Sequence, residues 1–432
     1  MEWPLNRFDA LLIAQTYAGR PMTTHHTLEV DRPLGLERWA RALRRLVDDY
    51  PELGSRVVGS RRFVFAPSRS AIEARLIDER DGAHAALERW LAEPIDPRME
   101  LPIRVRVGPG QAAAQAVTLS LHHSVCDGVG ALALLDRFMA LAAGERVEPR
   151  RSRPLAAHPS PPRPRLRSLL GRLWQLRRPA AQLVDDSDPQ AVGQRLALRM
   201  IEPSVWAGLA RLTRAAGVSR TTALWHAAAT VAAGMHLDDA SRPVRIVAGV
   251  DLRSHYGVPE DALGNWLGTL EHESFVDSRR APDPEAWIRL HAALRSGRRA
   301  EPAALTPALL AALVGRLPTP LAGAVFRWID SEAWPNPFSL MLARIGAPAG
   351  RCWPRALAPR RLWCASTLPR KPGLGLTFTA VGDRVCVAAT CQAAVLGRET
   401  VERFLDALLD HLQVRVVEPT SAPPSPARSG AG

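Results

Sequence analysis

The chain has 432 residues, 47% hydrophobic and 23% charged, with a formal net charge of +13. This composition excludes wholesale disorder and provides core material for two to three domains. The positive charge is almost entirely arginine, with Lys371 the only lysine. Together with the high alanine content this fits GC-rich coding, the competing reading being a basic surface for an anionic partner.

Cys126, Cys352, Cys364, Cys386 and Cys391 are odd in number and include no CxxC pair, which argues against a disulfide framework or zinc site and fits a reducing cytoplasm. "MEWPLNRFDA" has no basic stretch leading into an apolar run, so no signal peptide is expected. The apolar stretch 305–326 is broken by Arg316, Pro318 and Pro320, which predicts two short buried helices in place of a membrane span.

In chain order, "TTHHTLEV" (23–30) reads as a strand. "GLERWARALRRLVDDY" (35–50) reads as a helix with Leu36, Trp39, Ala40, Leu43, Leu46 and Val47 on one face. Two short strands follow around a turn in "PELGSRVVGSRRFVFAP", then a helix, "AHAALERWLAEP", ending near Pro94. "IRVRVG" and "AAQAVTLSLHH" read as paired strands, the second running into "HHSVCDG". "GVGALALLDRFMALAAG" is a helix closed by Gly144.

Residues 146–190 form a Pro/Arg-rich crossover with no acidic residue between Arg150 and Arg178. Within it, 166–178 reads as a basic amphipathic helix: either a docked helix in a solvated loop or a patch for anionic lipid or a carrier. Strands and helices then alternate again. "QRLALRMI" is a strand, a helix opens at Pro203, a second has Ser219 as N-cap, and "RPVRIVAGVDLRS" is a strand. Helices are expected over 283–329, strands near 337–345, 361–368, 374–381 and 384–391, and a helix over 397–413. Residues 417–432 read as a disordered tail. The halves resemble each other, which predicts lobes at 1–145 and 191–416.

Three uses of "HHSVCDG" compete. A metal site is geometrically poor, because successive strand residues point to opposite faces and no HExxH-like spacing is present. Cys126 or Ser124 as nucleophile lacks a G-x-S-x-G elbow or a cysteine-protease context. The third use is one histidine as general base, since an imidazole with a pKa near ~6.5 accepts a proton at cytoplasmic pH. Asp127 then serves local structure, and Gly128 lets the chain turn into the helix.

The same residues carry a resemblance. "HHSVCDG" matches HHxxxDG, and the chain resembles the chloramphenicol-acetyltransferase-like superfamily: peptide-synthetase condensation domains, polyketide-associated acyltransferases, alcohol acyltransferases and bacterial wax ester synthases. "LERWARALRRLVDDYPELGSRVV", "VDLRSHYGVPEDALGNWLG" and "LGLTFTAVGDRVCVAATCQAAVLGRETVERFLDALLDHL" resemble its early helix, second-lobe segment and closing hairpin and helix.

The resemblance implies an α/β fold of two lobes, each a mixed sheet with flanking helices, with a channel between them. It implies His123 as the general base, His122 as support, Asp127 as a structural group paired with an arginine, and Gly128 opening the helix. Arg253 and Arg344 are the candidate partners of Asp127; Arg344 and Asn265 are also candidates for an oxyanion or orienting role. Many relatives carry a Ser-Asn-x-Gly-like segment where this chain has "SLMLARIGAP", with Arg344 in place of the Asn. The implied activity moves an acyl group from a CoA or carrier-protein thioester to an alcohol or amine without an acyl-enzyme. No cofactor or metal is expected; acyl-CoA or a phosphopantetheinyl carrier acts as cosubstrate. A monomer without nucleic-acid binding is expected, since no aromatic–basic motif accompanies the charge. The alternatives are a wax ester or diacylglycerol synthase touching the inner membrane face through 166–178, and a non-catalytic scaffold.

Overall fold

A computed structural model describes residues 2–5, 7–58, 62–65, 72, 75–79, 83–110, 113–148, 170–171, 174, 176–185, 187–259, 262–274, 284–299, 314–315, 317–345 and 353–417. The first half contains β1 (Glu2–Pro4), α1 (Arg7–Tyr17), β2 (Thr23–Val30), α2 (Leu36–Asp49), β3 (Ser55–Val58), β4 (Arg62–Phe65), β5 (Leu76–Asp78), α3 (Ala83–Leu91), β6 (Ile103–Pro109), β7 (Gln115–His122) and α4 (Gly128–Ala143). The second contains β8 (Gln194–Ile201), α5 (Pro203–Ala215), α6 (Arg220–Gly234), β9 (Val244–Asp251), α7 (Arg253–Tyr256), β10 (Leu267–Ser274), α8 (Pro284–Arg299), α9 (Thr319–Asp330), β11 (Leu340–Ile345), β12 (Pro359–Ser366), β13 (Leu374–Val381), β14 (Arg384–Gln392) and α10 (Arg398–Val417).

These strands build two mixed sheets, ordered β12-β2-β7-β6-β5 and β10-β9-β11-β13-β14-β8, and a small sheet β1-β4-β3. The architecture is the expected two-lobed α/β fold. One strand crosses over: β12, from the second half, pairs antiparallel with β2 and completes the first sheet. The two sheets are therefore not each made from one half of the chain.

Local sequence explains the elements around the motif. In β7, Val117, Leu119 and Leu121 enter a core with Trp39, Leu43, Leu46 and Phe138 of α2 and α4. The alternate residues Thr118 and Ser120 meet Thr27 and His25 of β2, each at 2.8 Å. Both faces of the strand are thus buried and its polar groups are paired. Asp127 caps α4, accepting from the Gly130 amide, and Gly144 ends it in the left-handed conformation at φ 82°. A second core fills the other lobe around Leu224, Phe378 and Phe404. A third, with Leu87, Trp90, Leu198 and Trp363, joins α3 to the two sheets.

Several sequence expectations need adjustment. In α2, Leu36 is exposed and Ala42 is buried, because the helix starts at Leu36 and its core face begins at Trp39. The α3 helix ends at Leu91, short of Pro94. Of the two buried helices expected over 305–326, 300–313 lie outside the described residues. The helix found, α9, carries Leu321 and Trp328 exposed, its opposite side packing Ala322 and Phe326 against Leu11 and Ala14 of α1. Residues 149–169 of the crossover and 418–432 of the tail also lie outside the described residues.

Candidate active site

The motif lies at the exit of β7, where the first half of the chain meets the loop 262–266 of the second. Backbone bonds join the two: Gly264 N donates to the Val125 carbonyl at 3.1 Å, and Asp127 N donates to the Gly264 carbonyl at 3.2 Å.

Asp127 is 2% exposed, and all its acceptor capacity is directed. Oδ1 takes Gly130 N and Arg253 Nη2, and Oδ2 takes Arg253 Nη1 and Trp266 N, each at 2.9 Å. The Arg253 fork also donates to Asp251 Oδ1 and the Ala262 carbonyl, each at 3.0 Å. Burial works against the guanidinium charge, but Asp127 and Asp251 outweigh it and raise the Arg253 pKa. A bidentate, buried pair of this kind fixes geometry. Of the two candidate arginines, the one at Asp127 is Arg253. Arg344 stands in β11 opposite Phe378, and its side chain lies outside the described residues. Gly128 begins α4. Gly130, which sequence reading did not single out, is tightly surrounded: a Cβ there meets Cys126 Cβ at 3.0 Å and Arg253 Nη2 at 3.3 Å, so a neighbour would have to give by a few tenths of an ångström.

The two histidines are held very differently. His122 is fully buried. Its Nδ1 accepts from the Ser124 amide at 3.1 Å and the Ser124 hydroxyl at 2.8 Å. The proton therefore sits on Nε2, which donates to Thr16 Oγ1 at 2.9 Å, and Thr16 donates on to the Leu12 carbonyl. Burial, with a contribution from His123, pushes its pKa down to about 3, so the ring stays neutral. Both nitrogens are engaged and no face is open.

His123 is only half-buried. Its Nδ1 lies 3.1 Å from Asn265 Oδ1. Asn265 Nδ2 donates to the His123 carbonyl at 2.7 Å, which sets the amide orientation and leaves Oδ1 as the acceptor. Nδ1 of neutral His123 thus carries the proton, and Nε2 carries the lone pair.

Two neighbours escaped the sequence reading. His26 of β2 is fully buried, with Thr24 Oγ1 at 3.2 Å from Nε2 and Cys364 Sγ of β12 at 3.3 Å from Nδ1. Burial, with a smaller contribution from His123, lowers its pKa to about 3, so this ring stays neutral. Asp9 of α1, also fully buried, accepts from Asn265 Nδ2 at 3.4 Å. Cys126 is 1% exposed, and burial followed by the Asp127 charge pushes its thiol well up. Ser124 is fully buried. Neither presents a nucleophile to a substrate. Among the described residues, no group of three or more His, Cys, Asp or Glu is arranged to hold a metal ion.

No family model and no curated protein matches the chain. Solved structures do. The first condensation domain of the calcium-dependent antibiotic synthetase, in complex with a substrate analogue, aligns at TM-score 0.68 and 18% identity over 98% of each chain. The condensation domain of the monacolin K polyketide synthase MokA aligns at TM-score 0.64 and 14% identity, over 97% of this chain and 98% of that one. The nonribosomal peptide synthetase FmoA3 aligns at TM-score 0.66 and 18% identity; 97% of this chain spans 43% of that protein. The fold is that of the condensation domains.

Proposed function

We propose that the chain is an acyltransferase that moves an acyl group from a thioester to an alcohol or amine, with His123 as general base. The observation that carries this reading is the contrast between the two histidines. His122 has both nitrogens engaged in the interior, whereas half-buried His123 has its Nδ1 proton bonded to Asn265 and its lone pair on Nε2. In the reaction, the acceptor hydroxyl or amine loses a proton to His123 Nε2 as its oxygen or nitrogen attacks the thioester carbonyl. The tetrahedral oxyanion then collapses, the C–S bond breaks, and the thiolate leaves with the proton returned from the imidazolium. No bond to the enzyme forms, in keeping with the buried Ser124 and Cys126. Asp127 and Arg253 hold the loop that carries His123, and Gly128 opens α4.

The structural neighbours come from peptide and polyketide synthetases, which supports a carrier-bound phosphopantetheinyl thioester as donor, with acyl-CoA as the second source of the same chemistry. No helix among the described residues is long and apolar enough to cross a membrane. A second reading, a wax ester or diacylglycerol synthase acting at a membrane surface, is favoured by Leu170 and Trp174, 59% and 70% exposed in the segment 166–178. The rest of that segment, apart from 171 and 176–178, lies outside the described residues.

The test is thiol release from a panel of acyl-CoA and acyl-carrier donors, each with alcohol and amine acceptors. Transfer by the wild-type chain and a loss of about 10²–10⁴-fold in His123→Ala are expected. Failure of the wild type with every donor supports a scaffold role. Flotation with anionic liposomes separates the membrane reading, which fails if no protein floats.

A further inference from the structure

We infer that Asn265 and Asp9 are positioning residues that set the tautomer of His123, so that the proposed base is armed by groups outside its own motif. The inference rests on the general-base reading for its consequence, but not for its geometry.

The amide of Asn265 meets His123 at two points. Oδ1 accepts from Nδ1, at 3.1 Å, and Nδ2 donates to the His123 carbonyl at 2.7 Å. An amide turned the other way round would set its oxygen against that carbonyl and would also face Asp9 Oδ1, which stands 3.4 Å from Nδ2. Two oxygen acceptors on one side thus forbid the flip. With the flip excluded, Oδ1 must face Nδ1, and only the Nδ1-protonated ring satisfies both atoms. A neutral histidine free in water favours the opposite tautomer, with the proton on Nε2, which is useless as a base at that atom.

The three residues come from distant parts of the chain. Asp9 lies in the first turn of α1, His123 at the exit of β7, and Asn265 in the loop before β10. That loop is also the one that clasps the motif through Gly264 and Trp266. Seating the loop and setting the tautomer are therefore one event. The arrangement follows a general rule: the group bonded to one imidazole nitrogen decides what the other can do.

The test reads the ring directly. Full-length protein labelled with ¹⁵N-histidine, with the His123 signals assigned by their loss in His123→Gln, is compared with Asn265→Ala, Asn265→Asp and Asp9→Asn at a pH where the ring is neutral. Wild-type His123 should show a protonated Nδ1 and an unprotonated Nε2. Asn265→Ala should shift the ring toward the Nε2-protonated form, and Asn265→Asp, whose second oxygen is set against the His123 carbonyl and Asp9 Oδ1, should fail to restore the wild-type seat of the ring. Asp9→Asn should loosen the preference without reversing it. In thioester assays, Asn265→Ala should lower kcat by about 10–100-fold, by analogy with the loss on removing the hydrogen-bond partner that orients a metal-bound histidine, with KM for the donor nearly unchanged. A wild-type ring protonated on Nε2, or an Asn265→Ala ring identical to wild type, overturns the inference. Because the tautomer is read without substrate, absence of acyl transfer in the wild type counts against the proposed function alone.

Discussion

Removing Asp127 tests how the motif loop is held. In Asp127→Ala, three things are lost together: the cap on α4 through Gly130 N, the partner of Trp266 N, and both bonds to Arg253. The cap alone is worth about 1 kcal/mol. Breaking a buried ion pair from one side costs about 3–5 kcal/mol, because the surviving charge stays buried. Arg253 is 1% exposed but retains Asp251, whose side chain is 36% exposed and able to relax toward it. The lower part of that range together with the lost cap places the expected loss at roughly 4–5 kcal/mol. The assay is urea unfolding of wild type, Asp127→Ala, Arg253→Met and the double variant, read by tryptophan fluorescence. If the pair acts as a unit, the double variant should be more stable than the sum of the singles predicts, by about 1–3 kcal/mol. Single variants within about 0.5 kcal/mol of wild type, or strictly additive losses, would show that Asp127 and Arg253 do not hold the motif loop as a unit.

Acid should destabilise the fold through its buried histidines. His122 and His26 have folded-state pKa values lowered from 6.5 to about 3. Between these limits the unfolded chain binds more protons than the folded one, so the stability present above pH 6.5 is lost as pH falls. Each ring should cost about 2 kcal/mol between pH 7 and pH 5, and His26→Gln should flatten the slope of the urea midpoint against pH. Lys371 Nζ donates to three carbonyls, those of Ile329, Ser331 and Trp334, at 3.1, 2.7 and 2.5 Å. A planar guanidinium cannot converge on them from one point, so Lys371→Arg should lose about 1–3 kcal/mol and do no better than Lys371→Met in thermal melts. Gly130→Ala should lose about 1–3 kcal/mol by the same measure, since its new methyl meets Cys126 and the Arg253 fork.

Much of the fold was legible because its signals are local. The cap residues Asp127 and Ser219, the glycine stops at 144 and 217, and the strand pattern of β13 and β14 all lie within a few residues of the elements they define. Helix α1 carries no such local signal. Its Leu11, Leu12, Ile13 and Ala14 are all buried, with Ile13 in one core and Leu11 and Ala14 in another, so no one-sided period marks it. With α1 went Asp9 and Thr16, which reach Asn265 and His122. The placement of β12 in the first sheet is illegible for a related reason: Leu362, Trp363, Cys364 and Ala365 are buried in succession, a pattern that suits either sheet, and only the pairing with β2 decides. The site divides in the same way. The motif names both histidines and the aspartate, but their unequal burial depends on contacts far along the chain. Asp127 meets Arg253 across 126 positions, and His123 meets Asn265 across 142. Neither spacing nor composition separates Arg253 from Arg344 as the partner of Asp127.

The most direct test of the account is single-turnover acyl transfer from one thioester donor, comparing His123→Ala with wild type after matched unfolding curves show both chains folded. With His123 as general base, thiol release should fall by about 10²–10⁴-fold in His123→Ala, and no acyl group should remain on the protein at any time point. Transfer at the wild-type rate without the His123 imidazole, or an acyl group trapped covalently on the chain, would contradict it.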